Sequence, residues 1–140
     1  MTDLAAFTLH RPRDVAEAVA LCAAQAGTRF LAGGTDLLPN LRRGIDAPPA
    51  LIDLGRIAAL DLLEATPRGL AIGARVTLAA LAEAEAVLIG FPALAQAAGA
   101  VAGPAHRSCA AVPGNLRPDT RWECHKRIRG RWPAQGYCLK

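Results

Sequence analysis

Phe30-Leu31-Ala32-Gly33-Gly34-Thr35-Asp36-Leu37-Leu38-Pro39 runs from an apolar, strand-like stretch through two glycines into a helix start. Without Cβ atoms the backbone at Gly33 and Gly34 can curl and aim successive N–H groups at one point. A following helix adds unpaired N–H groups and a partial positive charge, and Thr35 adds a hydroxyl donor. Such a segment fits a phosphate or pyrophosphate. It carries neither the lysine of a Walker A loop nor a G-x-G-x-x-G pattern. The same glycine pair also fits a plain strand-to-helix turn.

Outward from this loop the chain alternates. Toward the N-terminus, Phe7 to His10 reads as a short strand. Asp14 caps a helix, and Glu17 three residues on completes capping-box spacing. Val15, Val19, Cys22 and Ala26 form one apolar stripe, with Cys22 as a small core residue and Gly27 as the stop. Arg29 to Ala32 is a strand, Leu37 to Arg43 a helix ending at Gly44, and Ala50 to Leu54 the next strand. This β-α-β-α-β order favours a parallel sheet. Leu60–Ala65 and Leu70–Ala74 flank Thr66-Pro67-Arg68-Gly69 and predict a hairpin. Thr77 caps a helix over about Leu78 to Ala86, and Pro92 opens another to about Ala100. Periodicity fades beyond Gly103, and residues 117–140 show no helix or strand pattern.

The chain has 140 residues, 52% of hydrophobic type and 20% charged, which excludes wholesale disorder. Aromatics are 4% and alanine supplies 31 residues, so the core is built of small side chains. The net charge of +4 is unevenly spread: residues 1–103 carry a net −2 and residues 104–140 a net +6. A mildly acidic body thus bears a basic tail that also holds Cys109, Cys124 and Cys138. The run Lys126-Arg127-Ile128-Arg129-Gly130-Arg131-Trp132 is read as a solvated tail rather than a nucleic-acid contact. No apolar run approaches the ~18 residues of a membrane span, and the start lacks a secretion signal. The expectation is a cytoplasmic protein with reduced thiols, no membrane contact and no nucleic-acid partner.

Leu31-Ala32-Gly33-Gly34-Thr35-Asp36-Leu37-Leu38-Pro39-Asn40, after Phe7, Arg11-Pro12 and an alanine-rich helix, resembles the FAD-binding subunit of the molybdenum hydroxylases. That is the xanthine dehydrogenase and carbon monoxide dehydrogenase flavoprotein family. Leu51-Ile52-Asp53-Leu54, Gly69-Leu70-Ala71-Ile72-Gly73-Ala74 and Thr77-Leu78 fit the strand, hairpin and helix start that come next in it. Val112-Pro113-Gly114-Asn115-Leu116 falls where the family has a second glycine loop. Gly114-Asn115-Leu116, Asp119-Thr120-Arg121 and Tyr137-Cys138-Leu139-Lys140 look most like the beta subunit of 4-hydroxybenzoyl-CoA reductase.

The resemblance implies an α+β fold: the N-terminal part of a two-lobed FAD-binding fold, truncated. The small β-α-β-α-β lobe would cover residues 1–56, and the hairpin-and-helix lobe would begin over 57–116. Residues 117–140 would be an irregular basic tail, the remnant of a cluster-binding insertion. FAD would be held by Arg29, Phe30, Leu31, Ala32, Gly33, Gly34, Thr35, Asp36 and Leu37, with Val101, Gly114, Asn115 and Asp119 approaching the same cofactor. The flavin would relay electrons between iron–sulfur clusters of a partner and an external carrier. Molybdenum chemistry would occur in another subunit. The implied partners are therefore a molybdenum-cofactor subunit and a small [2Fe–2S] subunit.

Three departures from the family stand out. Pro113 replaces the first glycine of the second loop and removes a backbone N–H. Cys138 matches one ligand of the reductase's [4Fe–4S] cluster, Trp122 stands where another is expected, and Cys124 lies two residues on. A [4Fe–4S] site needs four thiolates, so the cluster site is incomplete. The chain is also about half the length the resemblance implies, and residues 117–136 fit the family least. The spacing supports no Ser-His-Asp or paired-carboxylate arrangement; Asp53 and Asp61 read as solvated. His106, Cys109, Cys124, His125 and Cys138 match no compact zinc spacing. The alternative function is an assembly module that docks to partner subunits without flavin.

Overall fold

The computed structural model describes residues 4–116. Asp119, Cys124 and Cys138, with the rest of the tail, lie outside them. The first part of the chain is a three-stranded parallel sheet. Strand β1 (Thr8–His10), helix α1 (Val15–Ala24), strand β2 (Arg29–Leu31), helix α2 (Leu37–Arg42) and strand β3 (Ala50–Asp53) follow in that order. The sheet order is β1-β3-β2, with Leu9 opposite Leu51 on one side and Phe30 opposite Ile52 on the other. As the central strand, β3 is covered on both faces, so Ala50-Leu51-Ile52 is apolar without alternation and fully buried.

Asp14 caps α1 as its spacing predicts: the Glu17 N–H donates to Asp14 Oδ1 (2.8 Å). The reciprocal bond shifts by one residue, from the Arg13 N–H to Glu17 Oε2 (2.8 Å). The buried face of α1 differs from the expected stripe. Ala18 is buried against Ile52 and Ile57, with Leu21 and Cys22 packed beside them, while Val15 and Val19 are exposed. Ala18 has the small side chain that lets a ten-residue helix lie close on strands of three and four residues. Cys22 is half-buried in this core, where a small hydrophobe is expected.

Asp53 and Asp61 are structural rather than merely solvated. Asp53 accepts the Gly55 N–H (2.8 Å), capping the 3-10 turn Leu54–Arg56, and its other oxygen faces Arg11 Nε at 3.5 Å. Asp61 pairs with Arg75 (3.1 Å). Strands β4 (Leu63–Thr66) and β5 (Gly69–Ile72) form the predicted hairpin, its first strand starting three residues later than expected because Ala58–Asp61 is a 3-10 turn.

Thr77 caps α3 (Leu78–Glu83) through the Ala80 N–H (3.1 Å). The single helix expected to Ala86 is instead broken at Ala84, which is extended (φ −67°, ψ 125°), and α4 (Glu85–Gly90) comes after it. Leu81 and Val87 explain the break. Six residues apart on one helix they would point about 240° around the axis from each other. The break turns both into one core, where Leu81 is 1% and Val87 0% exposed. Each contributes roughly 2 kcal/mol by burial.

Pro92 opens α5 (Pro92–Gly99). Beyond Gly103 the described residues form two further helices, α6 (Pro104–Arg107) and α7 (Val112–Leu116). At four and five residues they are too short to show a period in the sequence. The second core gathers Val76, Leu78, Leu81, Val87, Ala95 and Ala98 with Ala110 and Val112.

Candidate functional site

The first glycine loop leaves β2 and leads into α2. Its two glycines answer different constraints. A Cβ on Gly33 would fall on the Cys109 carbonyl oxygen, and would stand 3.2 Å from the Ala111 nitrogen. Gly33 is therefore where the loop lies backbone to backbone against the segment leading into α7. Gly34 has φ +71°, and a Cβ there would also meet Leu38 Cδ1 at 2.9 Å. It needs the left-handed conformation that glycine adopts without strain.

Among the described residues, the N–H groups of Gly33, Gly34 and Thr35 donate to no protein acceptor. A little further on, the Leu38 N–H donates to the Gly34 carbonyl (3.1 Å), which closes the loop onto the helix. Asp36 starts α2 without a side-chain cap bond, and its Oδ2 lies 3.4 Å from Asn40 Nδ2. With six residues, α2 has little macrodipole of its own, so the donors at this place are those of the loop.

The second segment is positioned by the chain before α3. The Leu78 N–H donates to the Ala110 carbonyl (2.9 Å) and the Val112 N–H to the Val76 carbonyl (2.9 Å), with Thr77 bridging Ala111. Val112–Leu116, expected as a loop, is a short helical turn. Pro113 stands in its first turn, where an amide N–H has no intrahelical partner to lose. Among the described residues, a Cβ on Gly114 would have no heavy atom within 4 Å.

Both segments line one open cleft of about 1000 Å³. Residues 29–37 all line it, together with Gly114 and Asn115. Val101 stands apart from this lining: it packs against the second core, and its carbonyl is taken by Arg107 Nη1 (3.1 Å). The sequence reading missed Asn40, Ile45, Asp46, Leu54, Ala74 and the pair Ala110-Ala111, which also line the cleft. Asp46 pairs with Arg29 (Nε–Oδ2 3.0 Å), a contact across 17 residues that nothing in the local pattern announces. Both side chains are partly exposed, so the pair is worth about 0–1 kcal/mol. Ala74 arrives through the Arg75 N–H, which donates to the Leu60 carbonyl (2.8 Å). Among the described residues no three potential metal ligands come together, and no helix is long and apolar enough to cross a membrane.

A small parallel α/β unit and a hairpin-and-helix unit thus share a cleft edged by two glycine-bearing segments, the arrangement of a cofactor-binding domain. The family model described as the FAD binding domain in molybdopterin dehydrogenase matches residues 5–134, and the chain belongs to that family. The match runs well into the tail, whose motifs resemble the family least. The chain is 37% identical to the aldehyde oxidoreductase FAD-binding subunit PaoB of Escherichia coli strain K12, over 89% of this chain and 42% of that one. It is 34% identical to the xanthine dehydrogenase FAD-binding subunit of Escherichia coli O157:H7, over 83% and 39%. Among solved structures, reconstituted CO dehydrogenase from Oligotropha carboxidovorans superposes with a TM-score of 0.78 at 30% identity, over 81% of this chain and 40% of that one. The chain therefore spans about two fifths of the length of these relatives. FAD is the cofactor that defines the family.

Proposed function

We propose that this chain binds FAD in the cleft between its two glycine-bearing segments and acts as the flavin electron-transfer part of a molybdenum hydroxylase complex. The observation that carries this reading is the run of three N–H groups, Gly33 to Thr35, at the edge of the cleft, which have no acceptor among the described residues. A pyrophosphate supplies acceptors of the right number and charge for such a run. Among the described residues nothing fills the space beside Gly114 on the second segment, which leaves room for the same ligand. Bound FAD supplies the redox chemistry; the protein supplies position and electrostatics.

The residues assigned are Arg29, Phe30, Leu31, Ala32, Gly33, Gly34, Thr35, Asp36 and Leu37, with Gly114 and Asn115. Arg29 reaches a phosphate only by sharing its guanidinium with Asp46. The two units are read as lobes of one fold, divided after residue 56, although Ile57 still packs into the first core. By analogy with the family, the partners are a molybdenum-cofactor subunit and a small [2Fe–2S] subunit, in the cytoplasm. Within the family, Gly114-Asn115-Leu116, Asp119-Thr120-Arg121 and Tyr137-Cys138-Leu139-Lys140 favour the beta subunit of 4-hydroxybenzoyl-CoA reductase.

The test is reconstitution of the purified full chain with FAD, then gel filtration and absorbance at flavin wavelengths. One FAD retained per chain is the expected result. A folded chain that stays colourless at saturating FAD contradicts the reading and leaves the assembly module in its place.

A further inference from the structure

Arg107 ends α6 with its guanidinium turned back on the chain. Through Nη1 it donates to two carbonyl oxygens, those of Val101 (3.1 Å) and Ala102 (2.7 Å). Among the described residues it makes no ion pair. A half-buried guanidinium held by two backbone carbonyls is a clamp on the turn between α5 and α6. The turn needs one: Ala102 has φ +45°, in the left-handed region that an alanine enters only under restraint.

Beyond Arg107 the chain becomes the wall of the cleft. The Cys109 and Ala110 N–H groups both donate to the His106 carbonyl, so the chain leaves α6 in a fixed direction. Cys109 then lies under Gly33, Ala110 and Ala111 line the cleft, and Val112 is tied to Val76. The Val76–Leu78 strap fixes this wall at its far end. At its near end the tie is Arg107.

We propose that Arg107 is a positioning residue for the cofactor cleft: by closing the Val101–Arg107 turn it sets where the Cys109–Ala111 backbone meets the first glycine loop. The inference rests on the reading of the cleft as the FAD site. Arg107 itself does not line the cleft.

The experiment uses the full chain and its Arg107→Met, Arg107→Lys and Ala18→Gly variants. Each is titrated with FAD by flavin fluorescence, melted, and compared by amide hydrogen exchange. Arg107→Met keeps length and apolar bulk but has no donor; it is expected to weaken FAD binding about tenfold and to speed exchange at residues 109–112. Arg107→Lys restores a donor and should bind within about threefold of the parent. Ala18→Gly lowers the Tm from the other core and should leave FAD affinity unchanged. Should Arg107→Met fail to fold, Arg107→Gln, with a shorter donor, is expected to show a loss of about threefold. An Arg107→Met chain that binds FAD like the parent, or no more weakly than Ala18→Gly, overturns the inference. A parent chain that binds no FAD overturns the flavin reading beneath it.

Discussion

In the first segment, between β2 and α2, a methyl on Gly33 would land on the Cys109 carbonyl, and Gly34 sits at φ +71°. In the second, at α7, Gly114 lies in a helical turn with no described residue filling the place of its Cβ. Both line the same cleft, yet the first pair is required by the fold and the second glycine is not. A glycine on a binding loop can thus mark crowding by the protein itself or room left for something else. In this molecule the two meanings meet in one cleft.

Substitution with alanine separates them. Gly33→Ala forces the first loop off the backbone of Cys109 to Ala111, and about 3 kcal/mol of folding stability should be lost. The urea midpoint of the full chain reads this directly. Gly34→Ala meets a left-handed backbone and a close Leu38 methyl, and about 2 kcal/mol should be lost by the same measurement. Gly114→Ala should instead gain about 0.5 kcal/mol, since alanine suits a helical turn better than glycine. Its effect appears in binding: a methyl at the cleft should weaken FAD affinity about tenfold in a fluorescence titration. Equal stability losses at Gly33 and Gly114 would erase the contrast; a stabilised Gly114→Ala chain with weakened FAD binding would sharpen it.

Much of the first unit is legible in the sequence because its signals are local. Asp14 and Glu17 mark a helix start, Gly33-Gly34 and Gly44 bracket α2, and an unbroken Ala50-Leu51-Ile52 marks a central parallel strand. The stripe of α1 misleads because Val15 and Val19 are larger than Ala18, whereas the close approach of helix to sheet selects the small residue. The second unit is less legible. Its helices are four to eight residues long, and the break at Ala84 answers to Leu81 and Val87 sharing a core, a tertiary demand with no local mark.

The site divides in the same way. Its first wall, residues 29–37, is contiguous and legible whole. The rest of the lining is assembled from Ala74, Ala110, Ala111 and Pro113 through backbone hydrogen bonds among Val76, Leu78, Ala110 and Val112, and alanines carry no chemical signature. Val101, expected beside the cofactor, is not among the residues lining the cleft; it packs against the second core, and its carbonyl accepts from Arg107.

The most direct test of the account is the amide spectrum of the 15N-labelled full chain as FAD is added. The resonances of Gly33, Gly34, Thr35, Gly114 and Asn115 are predicted to shift together, along one binding curve with a single dissociation constant. A shift confined to one of the two segments, or none in either at saturating FAD, would contradict the claim that they form one cofactor cleft.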